Sequence, residues 1–136
     1  DWLYMSQDKI NTFADVTEDS QWIHLDAKRA AEESPYKKTI AHGFLVLSYA
    51  SQITFRTLKL NNIKLAINYG LDKVRFPNAT PSDSYFRGRV SLIEFEEIPG
   101  GVKYKLNIVF EVKGETKPVC VAETLSLVYS SSEEKT

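Results

Sequence analysis

Asp19 and His24 stand five residues apart in the polar run Asp-Ser-Gln-Trp-Ile-His, and Ala41-His42-Gly43 heads an apolar stretch further along the chain. A carboxylate and an imidazole at that spacing are too far apart to share one helical turn, but a loop can fold both side chains back onto a single water molecule. Such a pair can pass protons near neutral pH. A glycine at the start of a helix leaves backbone N–H groups without intrahelical acceptors, open to a polarised or negatively charged oxygen. An acid, a base and an oxyanion site together point to addition or elimination of water beside a carbonyl.

These groups need elements to position them, and the pattern along the chain changes once, from helical to strand spacing. Ser6 can cap a short helix to about Ala14 with Ile10, Phe13 and Ala14 on one face, and Asp26 can cap a second from Ala27 to Glu33, ended by Pro35. The segment from Asp19 to His24 is read as the loop between them. From Gly43 to about Leu58 a longer helix is expected, carrying Phe44, Leu45, Val46, Leu47, Tyr49, Ala50, Ile53 and Phe55. It is apolar on nearly every side, which predicts burial.

After Asn61 the chain reads as strands. Val102, Tyr104, Leu106, Ile108, Phe110 and Val112 alternate with Lys103, Lys105, Asn107, Val109, Glu111 and Lys113, a period of two with one covered face. Pro99-Gly100-Gly101 separates this run from Tyr85 to Ile98, and Lys113-Gly114-Glu115 separates it from Pro118 to Tyr129. Three long strands in an antiparallel meander follow, with further strand at Ile63 to Tyr69 and Val74 to Phe76. The polar tail, Ser130 to Thr136, is expected to be disordered. Residues 1–129 then form one α+β domain, a curved antiparallel sheet wrapped around a long central helix.

At 136 residues and 43% apolar content the chain can close one hydrophobic core. With 17 basic and 18 acidic residues its net charge is -1, so no overall field draws it to nucleic acid or an anionic membrane. Cys120 has no partner for an internal disulfide, and no apolar run is long enough to span a bilayer, so a cytoplasmic location is expected. Flanked by Val119, Val121 and Ala122, Cys120 reads as a core side chain rather than a nucleophile. His24 and His42 lack the short helical spacing of zinc motifs, so no metal is expected. Ser48 and Ser51 lie outside the small-residue elbow that exposes a hydrolase serine. Structural readings stand beside the chemical ones: Asp19 could cap a turn, His24 could be satisfied by backbone, and His42 could fix its loop through a backbone hydrogen bond.

The runs FADVTEDSQWIHLDAKRAA, TIAHGFLVLS and NYGLDKVRFP, in this order, resemble the MaoC-like dehydratases, a family that includes (R)-specific enoyl-CoA hydratases and nodulation protein N-like members. The resemblance covers nearly the whole chain. Its most specific part is an aspartate, a histidine five positions on and a further aspartate, here Asp19, His24 and Asp26. The resemblance implies a hot-dog fold paired into a homodimer, with active sites at the subunit interface. It implies reversible hydration of a trans-2-enoyl thioester, carried on coenzyme A or acyl carrier protein, to the (R)-3-hydroxyacyl thioester. No metal or redox cofactor is implied, coenzyme A entering only as part of the substrate.

By position, Asp19 and His24 would grip the catalytic water, the Gly43 backbone N–H would bind the thioester oxygen, and Ser51 would hydrogen-bond in the site, with Ser48 as a competitor one turn earlier. His42 is a supporting residue. Arg87, Arg89, Lys73 and Arg75 could meet the phosphates of coenzyme A. Gln21 and Trp22 stand where the best-known hydratases carry asparagine and proline, which fits the nodulation protein N-like branch more closely. Two rivals use the same groups. A hot-dog acyl-thioesterase would direct water to the carbonyl carbon, and the Asp19–His24 pair argues against it. A non-catalytic acyl-thioester binding module would have no need of intact Asp19, His24 and Gly43.

Overall fold

A computed structural model describes residues 1–58 and 63–130. The elements run β1 (Leu3–Met5), α1 (Gln7–Thr17), α2 (Trp22–Leu25), α3 (Ala27–Glu33), α4 (Gly43–Ser48), α5 (Ala50–Thr57), β2 (Ile63–Arg75), β3 (Ser84–Ile98), β4 (Gly101–Val112) and β5 (Cys120–Ser130). The strands form one antiparallel sheet in the order β1-β3-β4-β5-β2. This is the curled half-barrel of the hot-dog fold, with the helices on its inner face.

Strand β4 carries the core in the alternation its sequence predicts. Tyr104, Leu106, Ile108, Phe110 and Val112 are buried, and they meet Met5, Ile10, Val46, Ile53 and Phe86 in one cluster. Each large side chain taken fully out of water contributes roughly 1.5–3 kcal/mol, so this face supplies much of the driving force for folding. Lys105 points the other way, where its Nζ lies 2.6 Å from Asp72 and 3.6 Å from Glu94, tying β4 to β2 and β3 across the outer face. At the β3–β4 turn Gly100 adopts φ 81°, a backbone state that side chains disfavour.

Both expected helix caps form: Ser6 Oγ accepts from Lys9 N at 3.2 Å and Asp26 Oδ1 accepts from Arg29 N at 3.0 Å. Helix α1 continues past Ala14 to Thr17 and closes on Glu18 in the left-handed region, φ 65°. Four readings need correction. The segment from Asp19 to His24 is only partly loop, because Trp22–Leu25 closes a helical turn through Asp26 N and Trp22 O at 2.9 Å. The long central helix is two helices, α4 and α5, broken at Tyr49, where Tyr49 N bonds the Val46 carbonyl at 3.1 Å and Ser48 Oγ bonds back to Phe44 O at 2.7 Å. Serine back-bonding of this kind competes with the regular ladder and bends helices. Nor is that helical layer buried all round, since Phe44 is 68% and Phe55 86% exposed. The two short strands expected at Ile63 to Tyr69 and Val74 to Phe76 are one irregular strand, β2, with register shifts against β5.

Strand β1 pairs with β3 and was not foreseen, being only three residues long. Of the expected tail, Ser130 ends β5 opposite Ile63, and the remainder lies outside the described residues. Among the described residues no helix is long and apolar enough to cross a membrane.

Candidate active site

Helix α1 ends in the left-handed Glu18, and the reversal brings Asp19 back toward the start of α4. His24 projects from α2 and is 8% exposed, with Nδ1 2.8 Å from the Ile40 carbonyl. A carbonyl can only accept, so Nδ1 carries the hydrogen and Nε2 of the neutral ring carries a lone pair. His42, at the N-cap of α4, is 2% exposed, and its Nε2 donates to the backbone oxygen of Asp19 at 3.0 Å. The two imidazoles stack at 3.8 Å with planes 22° apart, and Phe13 lies against His42 at 4.9 Å.

Short hydrogen bonds hold the strands of chain that carry these rings. Ile40 N donates to Ile23 O at 3.1 Å and Ala41 N to Thr80 O at 2.7 Å. Gln7 donates to the His24 carbonyl at 2.8 Å, and Thr39 Oγ1 exchanges hydrogen bonds with Gln7 Oε1 at 2.6 Å and Ser82 Oγ at 2.8 Å. The start of α1, the α2 turn and the segment ahead of α4 are therefore tied to one another.

One donor atom each from Asp19, His24 and His42 lies within 4.8 Å of the others. The three thus meet in space without the sequence spacing of a zinc motif. With His24 Nδ1 donating to Ile40 O and His42 Nε2 to Asp19 O, each neutral ring keeps one nitrogen lone pair, on Nε2 of His24 and Nδ1 of His42. Burial pushes the His24 pKa below the ordinary histidine value, helped by the neighbouring His42 and opposed by the Ile40 carbonyl and Asp19. Burial thus favours the neutral ring of His24.

Gly43 opens α4. Leu45 N and Val46 N both turn to the His42 carbonyl, at 3.0 and 3.2 Å, and the Gly43 N–H precedes the first intrahelical bond. A Cβ at Gly43 would lie 3.0 Å from the Phe76 ring, just beyond the end of β2, so a larger residue there fits only if that ring shifts by a few tenths of an ångström. Ser48 and Ser51 line a groove of about 780 Å³ between α5 and the β2–β5 side of the sheet, with Leu47, Phe55, Leu71 and Tyr104. Ser48 is bonded to its own helix, whereas Ser51 Oγ accepts from Asn68 Nδ2 at 3.0 Å.

Other candidates lie apart. Asp26 is the cap of α3. Arg87 and Arg89 face Glu111 at 2.6 and 3.2 Å on the outer face of the sheet, and Arg87 lies 4.2 Å over the Trp2 ring, so both guanidinium groups are already engaged. Arg87, with Arg89, holds the Glu111 carboxyl below its usual range. Cys120 is fully buried and burial pushes its thiol up to about 11, the state of an inert core residue. Phe76 and Asn68 escaped the sequence reading. Both lie in the NYGLDKVRFP run, but nothing in that run's spacing shows that β2 folds back onto the central helices.

The family model described as MaoC like domain matches residues 1–107. The 3-hydroxyacyl-thioester dehydratase Z of Mycobacterium tuberculosis is 44% identical over 126 residues, 92% of this chain and 83% of that protein. Nodulation protein N of Rhizobium leguminosarum is 36% identical over 130 residues, 94% of this chain and 81% of that protein. The solved (R)-hydratase from A. caviae superposes with a TM-score of 0.77 at 20% identity, covering 93% of this chain and 91% of that one. This last likeness concerns the fold.

Proposed function

Because the chain belongs to the MaoC-like dehydratase family, we propose that it hydrates trans-2-enoyl thioesters to (R)-3-hydroxyacyl thioesters, and runs the reverse dehydration, on water held by Asp19 and His24. The chain is an enzyme, a lyase of the dehydratase type. The observation that carries the finer reading is the His24 ring, held by its Nδ1–H on Ile40 O with a free Nε2 beside the Asp19 loop.

In this mechanism the Asp19 carboxylate accepts one hydrogen of the water and orients it. His24 Nε2 removes the other proton as the oxygen attacks the β-carbon. Charge moves to the thioester oxygen, where the Gly43 N–H and the α4 dipole stabilise the enolate. The imidazolium then returns its proton to the α-carbon. No side chain is acylated and no electrons are transferred to a cofactor, so the step draws on no metal or redox group. Coenzyme A or acyl carrier protein enters as the thiol half of the substrate, and the groove beside Ser51 takes the acyl chain.

Strand β2 is one edge of the sheet, with Leu65, Ile67, Tyr69 and Leu71 between 39% and 57% exposed, and a second copy of the chain is the partner we assign to it. A cytoplasmic setting fits a lone thiol in the core. The test follows crotonyl-CoA by loss of enoyl absorbance, with chiral analysis of product and free thiol measured in parallel. An (R)-3-hydroxyacyl product without thiol is expected. Thiol release would make the protein a thioesterase, and thioester binding with neither signal would make it a binding module.

A further inference from the structure

Both histidines beside Asp19 are held in the same way. His24 Nδ1 donates to the Ile40 carbonyl at 2.8 Å and His42 Nε2 to the Asp19 carbonyl at 3.0 Å, so each ring places its one N–H on a backbone oxygen. Fixing one ring nitrogen on a carbonyl sets the tautomer and raises the basicity of the other, which is how metal-ligating histidines are oriented. A second observation is His42 Nδ1 itself, a buried acceptor on a 2% exposed residue, with no hydrogen-bond partner among the described residues. A buried acceptor without a donor is costly, and a cation can take such a lone pair in a donor's place. Asp19 supplies the third group, one donor atom from each residue lying within 4.8 Å of the others. Ligand atoms around a tetrahedral zinc stand roughly 3.4 Å apart. Asp19 is exposed and is tied to His42 through its backbone rather than its carboxylate, so its side chain can close that gap. The rings lie 3.8 Å apart, and their 22° tilt must widen for both lone pairs to meet one ion.

We propose that the Asp19 carboxylate, His24 Nε2 and His42 Nδ1 form a three-ligand site that binds Zn2+ reversibly, with the fourth position open to water. Two imidazoles and one carboxylate select Zn2+ over Mg2+ and Ca2+, which take oxygen donors. The binding depends on these three side chains and not on turnover. Its consequence for activity rests on the hydratase reading: the ion takes the His24 lone pair and the Asp19 carboxylate that otherwise hold the reacting water, so its occupancy inhibits hydration.

The test titrates the intact, untagged protein with Zn2+ by calorimetry near neutral pH, for wild type, Asp19→Asn, His24→Gln and His42→Phe, the last of which keeps a flat ring against His24. Expected is one Zn2+ per chain in wild type and a loss of at least ~10-fold in affinity in each variant that remains folded by circular dichroism. Co2+ in place of Zn2+ should give a visible ligand-field band in wild type that each variant loses. No binding below millimolar Zn2+ would overturn the site, as would affinity and band retained in all three variants, which would put the ion elsewhere. Loss in the Asp19 and His24 variants alone would overturn the part of His42. Hydration of crotonyl-CoA by wild type, with Zn2+ and again after a chelator, reports separately on the reaction. Zn2+ bound through all three side chains with hydration undisturbed would uphold the site and instead remove Asp19 and His24 from the chemistry.

Discussion

At the level of single residues, His24 sets the pH behaviour. Its pKa lies below the ordinary histidine value in the folded protein. The unfolded chain therefore takes up a proton first as the pH falls through about 6.5, and stability declines from there down to the folded value. Above that window the contribution is fully present. Thermal melts of wild type and His24→Gln should diverge in slope only below about pH 6.5, and parallel curves would remove this role. Hydration should lose its base on the same acid side. Substituting His24 by Ala is expected to lower the rate at least ~100-fold, and Asp19→Asn should abolish hydration with an unchanged circular dichroism spectrum. Normal turnover of crotonyl-CoA by Asp19→Asn would take the carboxylate out of the mechanism. That Asp19 and His24 come together in space was legible from residue type and order. The proton's place on His24 was not, because it depends on a carbonyl sixteen residues away.

Among the elements, the start of α4 approaches the residue after β2 closely. Gly43→Ala would place a methyl 3.0 Å from the Phe76 ring and press on the helix start proposed to bind the thioester oxygen. We expect that variant to lose most of its kcat, and Phe76→Ala in the same chain to recover a measurable part of it. No recovery would mean that the glycine is needed for something other than this contact. The alternation of β4 made its buried face readable residue by residue, and Ser6 and Asp26 announced their helices. Tyr49 gave no such warning, since the break there carries no glycine or proline, and a serine bonded back to its own helix, as Ser48 is to Phe44, is common within helices. Strand β1 was too short for any period to register, and β2 concealed its continuity behind register shifts.

Across the whole molecule, the apolar side chains left bare are concentrated on β2, on Phe44 and Phe55, and on Leu92, Ile93 and Phe95 of β3. An exposed strand edge of this kind invites pairing. Sedimentation velocity should show a dimer, and Leu65→Glu combined with Ile67→Glu should yield a monomer with sharply reduced hydration. A wild type that sediments as an active monomer would refute the pairing. The strand order has a consequence for the chain as it is made. The proposed site residues Asp19, His24 and Gly43 all precede β2 in the chain, but β2 must wait for β5, Cys120–Ser130, before it has a neighbour to bond. A nascent chain halted after β4 would hold those three residues with β2 still unpaired. The groove between α5 and β2 therefore closes only once β5 is present.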